Sequence, residues 1–459
     1  MNQDFDVIVV GAGPAGIFCA TELSRQSSLR VLMLEKGKDV TRRKCLMDID
    51  ETCNQCKVCS VTSGWGGAGA FSDGKLTLTT EFGGWLDKYI GKEELARLID
   101  FVDALYVENG APDRIFGEDN DCLEDLKRRA ARAGIKFIPA RIRHMGTENT
   151  HRVLRKFKQN LQRHNTVIHL NEAVESILVE DNQVRGVSTQ RGQYHAPVVV
   201  CAPGRNGAQW FVSEAARLGL ALQSNQVDIG VRVEVPAVTM QDITDHVWES
   251  KLIYNSRQFD DQVRTFCMNP HGEVVLENTN GLITVNGHSW AHRQSDNTNF
   301  ALLVSQEFTE PFNEPIVYGR NIACLANMLS GGVMVQRYGD LKKGRRSTYS
   351  RLERGVVSPT LRAAVPGDLS LVLPHRYMVD IMETLEALDQ FIPGIASDHT
   401  LLYGIEVKFY SARPDLSTGL QTRIKGLYAI GDGAGVTRGL IQASIAGVVA
   451  ARDIVSNLA

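Results

Sequence analysis

No stretch of about 18 consecutive apolar residues occurs in the chain, so no segment has the composition of a bilayer-spanning helix. The opening Met-Asn-Gln-Asp-Phe-Asp lacks the basic run of a secretory leader, and the expected location is the cytoplasm. Charge of one sign is also missing. A formal net charge of −3 over 459 residues offers no surface for nucleic acid or for an anionic membrane, and neither is expected as a partner. Internal repeats and low-complexity tracts are absent, which excludes solenoid and fibrous architectures. What remains is a globular composition, 43% hydrophobic and 22% charged, in a chain long enough for two or three structural units.

The strongest local signal is Asp6-Val-Ile-Val-Val-Gly-Ala-Gly-Pro-Ala-Gly16, closed by Glu35 at the end of Val31-Leu-Met-Leu-Glu35. Four apolar β-formers, a glycine turn and then Phe18-Cys-Ala-Thr-Glu-Leu23 at helical spacing predict strand, turn and helix. Gly11 permits the turn, Gly13 lets a pyrophosphate approach the backbone, and Gly16 lets helix and strand pack closely; Pro14 and Ala15 open the helix whose N-terminus faces the phosphates. Glu35 is positioned to accept from ribose hydroxyls. No second fingerprint of this kind follows a strand, so a separate pyridine-nucleotide domain is not expected and NAD(P)H would act as a transient electron donor.

After Glu35 comes a long excursion, about 36 to 84, beginning at Lys36 and Arg43 and holding four of the chain's nine cysteines: Cys45, Cys53, Cys56 and Cys59. In a chain without an export signal these are read as reduced thiols, ligands or redox groups. Their spacing is compatible with an iron–sulfur cluster relaying electrons to a flavin, with a tetrahedral zinc, with a redox dithiol, or with free thiols, and it does not match a common ferredoxin run. The other five, Cys19, Cys122, Cys201, Cys267 and Cys324, read mostly as small packing residues. The excursion ends in Ser63-Gly-Trp-Gly-Gly-Ala-Gly-Ala-Phe-Ser-Asp-Gly-Lys-Leu76. Gly64, Gly66, Gly67 and Gly69, with Ala68 between them, give a backbone able to lie against a flat or anionic group.

Residues 91 to 133 read as largely helical, with Leu95, Leu98, Ile99, Val102, Leu105 and Tyr106 on one face, and another helix covers about 148 to 164, with Val153, Leu154, Phe157 and Leu161 on one side. From Val167 to Gly204 the period becomes two, giving short strands that include a meander from Val174 with turns at Asp181-Asn182 and Arg191-Gly192, then a strand running into Ala202-Pro-Gly204. Beyond 208, Val227–Val235, Arg264–Met268, Glu273–Leu276 and Leu282–Val285 read as strands of one antiparallel sheet, and Leu341-Lys-Lys-Gly-Arg-Arg-Ser347 as a mobile loop. The end of the chain returns to a strand carrying Gly431 and Asp432, then a helix opening at Gly439 and Leu440. Asp432 suits a ribityl hydroxyl, which only flavins possess, and selects FAD over NAD.

These elements together, Gly11-x-Gly-x-x-Gly16 with Glu35, the strand into Ala202-Pro-Gly204, and Thr422 ahead of Gly431-Asp432, resemble the FAD-binding elements of the glutathione-reductase-like flavoproteins. The glycine-rich stretch 63–76, Arg264-Thr-Phe-Cys-Met268, Val285-Asn-Gly-His-Ser289 and Lys408-Phe-Tyr-Ser-Ala-Arg413 resemble the poorly characterised FAD-dependent dehydrogenase family along nearly the whole chain. The resemblance implies pyrophosphate contacts at Gly11, Gly13 and Gly16, adenosine ribose at Glu35, adenine at Val174, pyrophosphate and flavin near Ser63 to Gly69, and ribityl at Asp432. Where the superfamily commonly has Ala-Thr-Gly, this chain has Ala202-Pro203-Gly204, and the proline removes a donor.

The expected fold is α/β, a Rossmann-like FAD-binding domain (parallel sheet plus β-meander) at 1–207 and 416–459 with an inserted α+β substrate domain on an antiparallel sheet at 208–415. The expected activity is that of an FAD-dependent oxidoreductase, a C=C reductase or dehydrogenase moving hydride to or from flavin N5 on a small organic substrate. An FAD monooxygenase, or an electron-transfer or redox-sensing flavoprotein using the Cys45/Cys53/Cys56/Cys59 cluster, are the alternatives, and an electron-donor protein is a candidate partner. Proton-transfer candidates are His288, His292, His375, Tyr410 and Lys75, while Arg413 and Arg438 suit a substrate carboxylate; Tyr410, His288 and Arg438 rank first as catalytic residues.

Overall fold

The computed structural model describes residues 5–45, 56–118, 121–247, 249–279, 281–289, 294–308, 311–312 and 314–458. The chain divides into two compact units, 1–114 with 143–225 and 411–459, and 115–142 with 226–410.

The first unit is built on a five-stranded parallel sheet in the order Leu427–Ala429, Val198–Cys201, Val7–Val10, Val31–Glu35, Thr166–Leu170. The inner strands are buried at every position, as expected of a parallel sheet covered on both faces. The helix Pro14–Gln26 packs along the C-terminal helix Leu440–Leu458 at a glycine: a Cβ on Gly447 would stand 2.2 Å from the Ala15 carbonyl oxygen. The helix Lys92–Glu108 buries the six residues its spacing predicts, and the Tyr106 hydroxyl meets Ser444 Oγ at 3.0 Å. It stops at Asn109-Gly110, where Gly110 takes φ +97°; the next helix, Asp121–Arg132, belongs to the second unit. The meander Val174–Glu180, Gln183–Thr189, Gly192–His195 forms as expected, with Asp181 and Asn182 at φ +50° and +58° in the two-residue turn.

The second unit carries an eight-stranded sheet: Val365–Pro366, Met334–Arg337, Leu401–Lys408, Val227–Pro236, Asn297–Gln306, Gln262–Asn269, Ser250–Asn255, Lys136–Pro139. Its pairings are antiparallel except the first. Val227, Ile229, Val231, Val233 and Val235 join the helices His375–Phe391 and Pro315–Ser330 in one apolar core. Glu273–Thr279 and Leu282–His288 stand apart from this sheet as their own hairpin, because strands joined by so short a turn satisfy each other's backbone groups. The polar segment after Leu341 is tied down: Asp340 accepts from Arg345 Nε and Ser347 Oγ, both at 2.8 Å.

Candidate functional site

In the first unit the glycines of the fingerprint, far apart in sequence from their partners, mark where backbones touch. A Cβ on Gly11, at φ +102°, would lie 2.2 Å from the Ala202 carbonyl oxygen, and one on Gly16 2.0 Å from that of Gly11. Gly67 approaches Gly13, Gly69 approaches Leu440 and Pro14, Gly431 approaches Ala15, and Gly433 approaches Gly204. The strand-end turn, the glycine-rich loop and the start of the last helix, all singled out from sequence, therefore converge at the carboxyl ends of the sheet strands.

Glu35 is the knot of this region. Its buried carboxylate accepts from the N–H groups of Ala12 at 2.9 Å, Gly37 at 2.8 Å and Gly64 at 2.9 Å, coupling fingerprint and glycine loop. Arg43 is the second organiser. Its guanidinium donates to the carbonyls of Ser60, Val61 and Trp65 at 2.7–2.8 Å and lies 4.8 Å from the Phe71 ring centre. Burial pulls that guanidinium down to about 10. The fully buried Trp65 hydrogen-bonds Leu154 through Nε1 at 2.8 Å, so the loop is anchored below as well as behind.

Three features of this region suit a ligand. The helix Pro14–Gln26 starts with Pro14 after Gly13 and has no side-chain cap, which leaves N-terminal N–H groups for an anion. A Cβ on Gly13 would meet nothing closer than the Gly67 Cα at 3.9 Å, so the cradle over this turn is empty of protein. The buried Ser63 Oγ and Gln442 Oε1 have no hydrogen-bond partner among the described residues. Donors, an open glycine surface and orphaned polar atoms fit an extended dinucleotide diphosphate.

Asp432 accepts from Thr437 Oγ1 at 2.8 Å and from the Gly439 N–H at 3.4 Å, and burial raises its carboxyl above the usual range against the pull of Arg205. Gly204 and Gly439, at φ +60° and +90°, face open space. The proline ahead of Gly204 stands at the N-cap of the helix Gly204–Arg217, where a missing N–H costs least. Lys36 donates to Asn206, and Val174 starts the meander opposite Thr189.

The three ranked catalytic candidates fall in different units: Arg438 in the first, His288 and Tyr410 in the second. The Tyr410 hydroxyl donates to the Asp228 carboxylate and accepts from Arg264 Nη2 at 3.0 Å. His288 ends the hairpin strand opposite Glu273. Lys75 pairs with Asp73 at 3.1 Å, His375 opens its helix edge-on to Phe259, and His292 lies outside the described residues. Of the cysteine group, Cys45 and Cys59 are half-buried, Cys56 is exposed and Cys53 lies outside the described residues; among those described, no three ligand groups meet around a metal position. Burial raises the Cys59 thiol, but Thr62, Val61 N–H and the Arg43 charge bring it below its ordinary value. Sequence reasoning passed over Trp85, whose indole carries the guanidinium of Arg438 at 4.5 Å and that of Arg413 at 5.1 Å. Its one signal was the preceding Gly83-Gly84 pair.

Residues 226–409 match a family model described as FAD-dependent protein, C-terminal domain-like, and residues 9–43 match one described as NAD(P)-binding Rossmann-like domain. The first match coincides with the long segment of the second unit, and the second covers the fingerprint through Arg43. The two matches support an FAD-dependent protein with a Rossmann-like nucleotide-binding unit. An uncharacterized protein of Clostridium beijerinckii is 28% identical over 473 residues, spanning 98% of this chain and 80% of the relative. Among solved structures, the L-proline dehydrogenase of P. horikoshii aligns over 100% of this chain and 95% of its own with a TM-score of 0.42 at 12% identity. The glycine oxidase of Bacillus cereus aligns over 99% and 96% with a TM-score of 0.39 at 14% identity.

Proposed function

We propose that the first unit binds FAD along the line from the Pro14 helix to the Leu440 helix and that the enzyme acts as a dehydrogenase or C=C reductase on a small organic substrate. FAD, when bound, supplies a two-electron carrier at its isoalloxazine ring. Gly11, Gly13 and Gly16 with the open helix N-terminus would hold the pyrophosphate, Glu35 the adenosine ribose through its remaining lone pair, Ser63 to Gly69 the diphosphate flank, and Asp432 the ribityl chain. The observation that carries the reading is the convergence of Gly13 with Gly67 and of Gly69 with Leu440, beside the orphaned Ser63 hydroxyl.

Gly13→Val tests it, since a Cβ there meets only the Gly67 Cα, at an unstrained 3.9 Å. The wild-type protein, purified without oxygen, is expected to show the visible bands of oxidised flavin, while the variant folds and lacks them. A colourless wild-type protein that also fails to take up added FAD would overturn the proposal.

A second reading is favoured by the lowered Cys59 thiol next to Arg43 and the glycine loop: electrons enter through the Cys45/Cys53/Cys56/Cys59 group, as a cluster or dithiol. If the group holds an iron–sulfur cluster, a spectrum of the anaerobic protein carries a broad additional absorption lost on exposure to air.

A further inference from the structure

Arg413 is a part-buried cation with no carboxylate paired to it among the described residues. It opens the short strand Arg413–Pro414, paired antiparallel with Leu222–Gln223, and Nη2 donates to Gln223 Oε1 at 3.3 Å. Nη1 is sealed from solvent and has no hydrogen-bond partner among the described residues. A sealed donor without a partner is destabilising, so its retention asks for a ligand. A second guanidinium, that of Arg438, shares the Trp85 indole with it, and the two groups lie within about 10 Å of each other.

The arrangement is built by the backbone. Trp85 N–H donates to the Val436 carbonyl at 3.0 Å, Arg438 N–H donates to the Gly83 carbonyl at 2.7 Å, and Gly84 bridges Thr437. Gly84 stands at φ +114°, with room for no Cβ: it would come within 2.7 Å of Thr437 Cα. The zipped pair of segments thus fixes Trp85 and Arg438 to the same turn that carries Asp432, whose carboxylate is bonded by Thr437 and Gly439. The acids facing this cluster are Asp432, which feels the Arg438 charge, and Asp415, which takes a hydrogen bond from Gln223 Nε2 at 2.8 Å.

We infer that Arg413, Arg438 and Trp85 form the recognition site for the carboxylate end of a planar organic acid, the substrate class of this enzyme. A carboxylate offers two coplanar oxygens to a guanidinium fork and neutralises two like charges held on one ring; a conjugated or aromatic body would lie against the indole. The assignment rests on the flavin reading for its catalytic meaning, but the anion site itself is a property of these three side chains.

Calorimetric titration at fixed ionic strength, on the protein as purified, tests it with benzoate as the probe and benzamide as its uncharged counterpart. Benzoate is expected to bind saturably, benzamide at least tenfold more weakly. Arg413→Gln is expected to weaken benzoate at least tenfold with FAD content unchanged, and Arg413→Lys to recover part of the loss, because an ammonium keeps the charge without the fork. Equal affinity for the two probes, wild-type affinity for benzoate in Arg413→Gln, or loss of FAD from that variant would each overturn the inference. Absence of FAD from a wild-type protein that still prefers benzoate would strike the cofactor reading alone. Should Arg413→Gln not fold, Arg413→Lys reads the same comparison, with at least threefold weaker benzoate expected.

Discussion

Single side chains in the first unit bind backbone before they bind anything else. Glu35 was expected from its place after the second strand to take ribose hydroxyls, and three of its roughly four acceptor positions are used by Ala12, Gly37 and Gly64. It is a structural link between the fingerprint turn and the glycine-rich loop, with about one acceptor position left over. Glu35→Gln replaces one acceptor by an NH₂ group aimed at an N–H, and leaving one or two of these buried donors unmet costs about 1–3 kcal/mol each. The expected outcome is a melting temperature lower by about 2–4 °C per kcal/mol lost, together with weaker FAD binding in a fluorescence titration; an unchanged melting temperature would show that the amide N–H groups have other acceptors. Arg43 follows the same logic. Three of its five guanidinium donors go to the Ser60, Val61 and Trp65 carbonyls, so it shapes the loop from behind.

Among the elements, the strand Val227–Pro236 is the most informative. Strict alternation reads as a strand with one wet face, yet Asp228, Arg232 and Glu234 are as fully buried as the valines between them. The polar face is covered by the hairpin that the sequence had suggested was part of the sheet: a Cβ on Gly287 would strike Asn299 Oδ1 and Arg232 Nη1, and Asn286 accepts from Arg232 Nη2 at 3.4 Å. Beneath it Arg232 forks onto Glu406 with two bonds of 2.8 Å, while Lys408 reaches Glu406 at 3.1 Å and Glu277 at 3.3 Å. Burial pulls the Arg232 guanidinium down, and the Glu406 carboxylate more than offsets it. Glu406→Gln strands a buried cation and is expected to cost about 3–5 kcal/mol. The double variant Arg232→Met with Glu406→Leu is expected to be more stable than Glu406→Gln alone, and urea unfolding of the three proteins checks the order.

For the whole molecule, buried titratable groups set how stability follows pH. Asp380, inside the helix His375–Phe391, is fully buried, and that burial, with the nearby Asp261 charge, lifts its carboxyl to about 6. The folded protein keeps this proton up to about pH 6 and the unfolded chain releases it near pH 4, so stability contributed by the protonated group is lost as pH rises through that window. Asp380→Asn is expected to gain on the order of 1–2 kcal/mol relative to wild type at pH 8 and little or nothing at pH 4. Urea midpoints at the two pH values measure it, and an equal effect at both would refute the assignment. The interleaving of the two units has a kinetic counterpart. The first sheet sets Val198–Cys201 between Val7–Val10 and Leu427–Ala429, so it is completed only when both ends of the chain have met, a long-range pairing that slows folding.

The sequence by itself determined the Rossmann-like unit and the positions of its glycine turns. Those depend on local chemistry: apolar runs of strand length, glycines where φ must be positive or backbones must touch, and an acid at a strand end. Only the tertiary structure decided which of those glycines face one another across the chain, that Glu35 and Arg43 spend their hydrogen bonds on loop backbone, that the charged side of Val227–Pro236 is buried under a hairpin, and that Trp85 gathers Arg413 and Arg438. These are pairings between residues tens to hundreds of positions apart. No local propensity encodes them, because their energy exists only once the surfaces that exclude water from them have closed.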